Sequence, residues 1–220
     1  MPLIEAKNIF KSYQQGGQTI PVLNDLNLSL EKGEHLAILG QSGSGKSTLL
    51  SLLSGLDQPD KGDICIQNQS LTALRGKKLT RFRAQYIGIV FQHFHLLNHL
   101  SAVENVELPL EIKGDFQGRK KAEDAIDAVG LKNRKTHFPY QLSGGEQQRV
   151  AIARALITNP DILLADEPSG NLDQKTGQKI MDLIFSQAKE NHMSMILVTH
   201  NPELASRCQH QLELKNGILC

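Results

Sequence analysis

Leu26, Leu28 and Leu30 alternate with the polar Asn27 and Ser29, and Ile4 and Ile9 precede a turn-rich stretch at Gln15-Gly16-Gly17-Gln18. A hydrophobic period of two predicts a β-hairpin or small sheet with one buried face. An unbroken apolar run, Leu36-Ala37-Ile38-Leu39, predicts a short buried strand; a glycine-rich segment follows, and then the helical pattern of Leu49, Leu50, Leu52 and Leu53. Three more apolar strands end in polar side chains: residues 86–91 at Gln92, 162–165 at Asp166-Glu167, and 195–199 at His200. Ligands collect at the carboxyl ends of strands in open parallel sheets, so these strand ends and the glycine loop are expected to serve one site. Between residues 92 and 141 the pattern turns helical and polar, with Ser101-Ala102-Val103-Glu104 reading as a capping box and residues 119–129 as an amphipathic helix. The chain closes on alternating residues around Asn216-Gly217, a tight-hairpin signal. The expectation is an α/β fold in one domain, residues 1–220. Residues 1–92 and 142–220 form a β subdomain plus core, and residues 93–141 an inserted helical lobe.

Composition narrows the class. The chain of 220 residues has 24 basic and 23 acidic side chains, which removes the domain-wide positive field of a nucleic-acid binder, and no nucleic-acid partner is expected. No apolar run approaches the roughly 18–20 residues of a membrane-spanning helix. The first residues, Met1-Pro2-Leu3-Ile4-Glu5, lack a basic region and apolar stretch, so a cytosolic placement is expected. Cys65, Cys208 and Cys220 are odd in number and far apart, and read as reduced packing residues rather than a disulfide framework or zinc site.

The glycine segment Gly40-Gln41-Ser42-Gly43-Ser44-Gly45-Lys46-Ser47-Thr48 satisfies G-x-x-x-x-G-K-[ST] between a strand and a helix. There the glycines let backbone N–H groups close around phosphate oxygens, Lys46 reaches the outer phosphates, Ser47 offers its hydroxyl to Mg²⁺, and the helix dipole attracts anions. Asp166 and Glu167 supply what such a loop needs next, a carboxylate for the metal and a second to polarise the attacking water. In Leu142-Ser143-Gly144-Gly145-Glu146-Gln147-Gln148-Arg149, Ser143 and Glu146 form a capping box. Two glycines directly after a cap are poor helix formers, and their cost is explained if backbone N–H groups approach a second anion.

Residues 142–147, lying after the glycine loop and before the Asp166-Glu167 strand, resemble the signature of the ABC ATPases, and the order of motifs matches that family over essentially the whole chain. The resemblance implies a P-loop ABC-type nucleotide-binding domain with a mostly parallel RecA-like core, an antiparallel β subdomain and an inserted helical subdomain. It implies ATP and Mg²⁺ as ligands and a second copy of the chain, stacked head to tail, whose Ser143, Gly144 and Gly145 cover nucleotide on the first. Tyr13 resembles the aromatic that stacks on adenine, with a surface tyrosine as the plainer reading. Gln92 is similar to the glutamine that touches Mg²⁺ and signals to the membrane partner, and Asp166 to the metal carboxylate. Glu167 is similar to the general base, and His200 to the histidine at the γ-phosphate, although Asn201-Pro202-Glu203 also reads as a helix start there. Ser169-Gly170-Asn171-Leu172-Asp173 resembles the loop that crosses the dimer interface, with Ser169 where many relatives have threonine. His93 and His95 read as lobe-surface or partner-contact residues.

The strand before Gln92, the residues around Asp166-Glu167 and the short C-terminus resemble the lipoprotein-releasing and macrolide-exporter group, including LolD-like ATPases. This implies an ATPase coupled to transport, placed peripherally on the cytoplasmic face of the inner membrane and docked through the lobe and the Gln92 region to a separate permease. An uptake ATPase is the nearer alternative, a P-loop small-molecule kinase the remoter one. Arg75, Lys77, Lys78, Arg81 and Arg83 form a run without an acid; it reads as a solvated helix face, with anionic headgroups or an acidic partner loop as alternatives.

Overall fold

The computed structural model describes residues 2–115 and 117–220. They form two compact units, one of residues 2–80 with 194–220 and the other of residues 81–115 with 117–193. The first unit opens with β1 (Ile4–Gln15), β2 (Gln18–Leu30), β3 (His35–Leu39), α1 (Lys46–Leu53), β4 (Lys61–Ile66) and β5 (Gln69–Ser70). The chain leaves it along α2 (Gly76–Tyr86) and builds the second unit from β6 (Ile87–Val90), α3 (Ala102–Lys113), α4 (Gly118–Ala128), α5 (Gly144–Leu156), β7 (Ile162–Asp166) and α6 (Gln174–Glu190). It returns through β8 (Ser194–Thr199), α7 (Pro202–Ala205), β9 (His210–Lys215) and β10 (Ile218–Leu219).

In the first unit, β1 lies antiparallel between β2 and β4, in a sheet ordered β2-β1-β4-β5. Its register sets Ile4 opposite Leu30, Ala6 opposite Leu28 and Ile9 opposite Leu26, so the alternating leucines enter the core while Asn27 and Ser29 face out. The same unit contains a parallel core, β3 between β8 and β9, with Leu39 paired to Thr199 on one side and to Glu213 on the other. The β9–β10 hairpin turns through Asn216 at φ 50 and Gly217 at φ 79, the doubly left-handed turn its Asn-Gly pair demands.

In the second unit, β6 and β7 run parallel from Ile87 opposite Ile162 to Val90 opposite Ala165. The helices α3, α4 and α5 close over Val103, Val106, Ile126, Leu131, Leu142 and Val150, a cluster that is almost fully buried. Helix α3 begins at the expected capping box, where Glu104 accepts from the Ser101 backbone N–H at 2.7 Å and from its hydroxyl at 2.6 Å.

Two expectations shift. Tyr86 closes α2, its ring 4.8 Å from that of Phe82, so the strand leading to Gln92 starts at Ile87. The cysteines are free thiols, but only Cys208 is a buried packing residue, its thiol pushed up to about 11 by desolvation. Cys65 is half-buried against Asp63, and Cys220 is exposed.

Candidate functional site

The candidate residues fall into two sets, one in each unit. In the first, the loop of residues 40–45 runs from the end of β3 into α1. Its glycines carry the geometry: Gly43 and Gly45 take φ 80 and φ 104, values that a side chain disfavours. The first turn of α1 has no acidic residue and its N-cap, Gly45, has no capping side chain, so the backbone N–H groups there are left for an anion. The Ser44 hydroxyl is buried without a hydrogen-bond partner, a cost of about 1–3 kcal/mol in a loop built only for its own stability. Lys46 is 6% exposed and its ammonium donates to the carbonyls of Gly40 at 2.9 Å and Gln41 at 2.8 Å, spanning the loop from inside.

Ser47 presents an exposed side chain on the first turn of α1, followed by the half-buried Thr48. Tyr13 stands beside Thr48, with which it shares a hydrogen bond, and its hydroxyl donates to Asp57 at 2.9 Å. Lys11 pairs with Asp57 at 2.9 Å and lies 5.0 Å from the Tyr13 ring centroid. Partial burial and the Asp57 bond push the Tyr13 hydroxyl above its ordinary range, and the residue is 41% exposed. The β3–β8 register places His200, exposed, one residue past the Thr199 that pairs with Leu39, and hence next to Gly40 across parallel strands. Asn201 caps α7 by accepting from Glu203 at 2.9 Å, so the helix-start reading of this segment holds. A cavity of ≈ 670 Å³ opens along residues 41–44, 20–22 and 213–217; Tyr13 does not line it.

In the second unit, the parallel register of β6 and β7 brings the segment at Gln92 and the pair Asp166-Glu167 to the same end of adjacent strands. Glu167 adopts φ 41, a left-handed backbone rare for a residue with a side chain, and its carbonyl accepts from Gly170 at 2.9 Å to close the turn. Asn171 ties this turn to β6: its amide donates to the Gln92 carbonyl at 3.0 Å and accepts from Gln92 Nε2 at 3.3 Å. It also lies 3.2 Å from His93 Nδ1, which draws that histidine into the same cluster. Ser143 caps α5, with Glu146 accepting from its backbone N–H at 2.8 Å and its hydroxyl at 2.9 Å. Gly144 and Gly145 form the first turn, and a β-carbon at Gly145 would lie 2.6 Å from Thr176 Cγ2.

Two residues of α5 escaped the sequence reading. Gln148, wholly buried, donates from Nε2 to the Pro168 carbonyl at 2.6 Å and reaches that of Phe91 at 3.4 Å. Arg154 donates to the carbonyls of His95 at 2.6 Å and Phe94 at 2.9 Å, and desolvation lowers its pKa. The readable signal was a polar residue, Gln148, in register with Ala151, Ile152 and Ala155 on the apolar stripe of the helix.

Residues 23–170 match the model of the ABC transporter family. The chain belongs to that family. It is similar to the lipoprotein-releasing system ATP-binding protein LolD of Idiomarina loihiensis, 46% identical over 99% of this chain and 96% of that one. The uncharacterized ABC transporter ATP-binding protein YbbA of Escherichia coli K12 is 45% identical over the same shares. Among solved structures, the ATP-binding cassette MJ0796, in a dimeric post-hydrolysis state bound to ADP and Pi, superposes with a TM-score of 0.90 at 41% identity, covering 98% of this chain and 96% of that one. These likenesses span nearly the full chain, and make this ABC protein an ATP-binding and ATP-hydrolysing subunit with the mixed parallel and antiparallel α/β architecture of a cassette. Among the described residues no helix is long and apolar enough to cross a membrane.

Proposed function

We propose that this ABC ATPase drives a membrane transporter of the lipoprotein-release type, two copies closing on two ATP molecules and reopening after hydrolysis. The observation that carries the reading is the loop around Lys46. Left-handed glycines, an uncapped helix start and an orphaned Ser44 hydroxyl are all explained by one group, a bound polyphosphate. The LolD relative supports the transporter class, and the dimeric MJ0796 cassette supports pairing of two copies.

In this reading Lys46 leaves its loop carbonyls for the outer phosphates, the N–H groups of residues 41–48 cradle the rest, and Tyr13 stacks on adenine. Ser143, Gly144 and Gly145 of the second copy close over the nucleotide from the N-terminus of its α5. Glu167 accepts a proton from the attacking water, and His200 donates to the γ-phosphate. Ser47, Gln92 and Asp166 offer the hard oxygen donors that suit Mg²⁺; Gln92 uses its Nε2 on Asn171, which leaves Oε1 to accept. When bound, that ion neutralises charge on the phosphate oxygens. The subunit sits peripherally on the cytoplasmic face of the inner membrane, and the lobe with the Gln92 region docks a separate permease.

The Glu167→Gln chain tests this. Turnover is expected to fall at least about 100-fold, as loss of a general base does, with ATP binding kept and an ATP-dependent dimer trapped. Near-normal turnover would remove Glu167 as the base. Pull-down of the trapped form from detergent-solubilised native membranes is expected to recover a few-span permease with a large extracytoplasmic domain. A many-span uptake permease would move the protein to the importers.

A further inference from the structure

Helix α5 starts at the signature, and one of its side chains touches the backbone beside both strand ends. Gln148 is 0% exposed, and its Nε2 donates to the Pro168 carbonyl at 2.6 Å and reaches toward that of Phe91 at 3.4 Å. Pro168 directly follows Glu167, and Phe91 directly precedes Gln92. We propose that Gln148 is a positioning residue for hydrolysis, an amide clamp that holds the backbone of Glu167 and Gln92 in a fixed setting relative to the signature helix. This rests on the reading of Glu167 as the general base.

Three observations bear on it. Glu167 sits at φ 41, and a backbone in that region persists only where its surroundings hold it. The turn after it is held from one side by the Gly170 bond to the Glu167 carbonyl, and from the other by Gln148 on Pro168. Next, Gln148 Oε1 is buried with no hydrogen-bond partner. A methionine or leucine of similar volume would pack the site with no buried amide to satisfy, so packing does not explain a glutamine here, whereas donation to two carbonyls does. Lastly, Arg154, farther along α5, holds the carbonyls of Phe94 and His95. Gln92 therefore lies between two stretches of backbone that answer to the same helix, and displacement of the signature at one end of α5 would be felt at Gln92 and Glu167 together.

The test replaces the clamp without opening a cavity, with Gln148→Met and Gln148→Leu in the full-length chain. Steady-state ATPase kinetics, ATP affinity and the thermal midpoint are measured for each. The expected result is a kcat lower by about tenfold to a hundredfold, the scale of a misplaced reacting group, with KM for ATP and the midpoint nearly unchanged. In a Glu167→Gln background the same substitution is expected to add almost nothing, because it acts through Glu167. An unchanged kcat overturns the proposal. So does a parallel loss of kcat, ATP affinity and midpoint in both variants, or full additivity with Glu167→Gln, since either marks a packing residue. The two readings fail separately: an active Glu167→Gln protein removes the base, whereas an inactive one beside a fully active Gln148→Met removes only the clamp.

Discussion

A β-carbon at Gly40 would lie 2.7 Å from the Leu214 carbonyl oxygen and 2.7 Å from Ser44 Oγ, with Lys46 Cδ next at 3.5 Å. The first of these neighbours is backbone and cannot rotate away, so a side chain there must displace the loop that frames Lys46. Gly40→Ala is expected to destabilise the fold by about 1–3 kcal/mol, the cost of overpacking, and to weaken ATP binding at least tenfold; calorimetric melting and nucleotide titration read the two effects. The glycine loop before α1 was legible at this scale because its motif is contiguous, and the left-handed Gly43 and Gly45 use the freedom that only glycine has. The strain at Glu167 was not legible, because a positive φ at a glutamate is imposed by the turn to Gly170 and by neighbours distant in sequence.

Among the elements, α5 joins a local signal to a non-local role. Its start was readable from Ser143 and Glu146 alone, since a capping box spans three residues. Backbone donation from Ser143, joined by Arg134 Nε at 3.0 Å and the Ser143 hydroxyl, holds the Glu146 carboxyl below its ordinary 4.5 in spite of partial burial. A carboxylate depressed in the folded state contributes stability that is present above its unfolded value and lost as pH falls through the folded one. The N-terminus of α5 is therefore expected to loosen below about pH 4.5. Glu146→Gln, which keeps the capping box and loses the Arg134 ion pair, is expected to flatten that part of the acid unfolding curve at a cost of about 0–1 kcal/mol at neutral pH, followed by circular dichroism against pH. The rest of α5 was opaque in the sequence, because Gln148 meets its partners 20 and 57 residues away.

For the whole molecule, the proposed pairing of two copies puts Ser143 at the nucleotide of its neighbour. Ser143→Arg in the Glu167→Gln background is expected to abolish the ATP-dependent dimer while leaving monomer ATP affinity within about threefold, because a bulky cation would stand where a phosphate must approach. Light scattering with ATP and a nucleotide titration check the two halves, and a tight dimer would remove Ser143 from the interface. By itself the sequence determined the alternating faces of β2, the buried β3 and β7, the capped starts of α3 and α5, the glycine loop before α1, the Asn216-Gly217 hairpin and the family, since each is written in periodicity or in a contiguous motif. Tertiary structure alone decided that α2 runs through Tyr86, that Asn171 pairs with Gln92, and that Gln148 and Arg154 grip the backbone around the strand ends. Those bonds join residues far apart along the chain to carbonyl groups that every residue carries, and a carbonyl leaves no mark in the sequence to say which side chain will reach it.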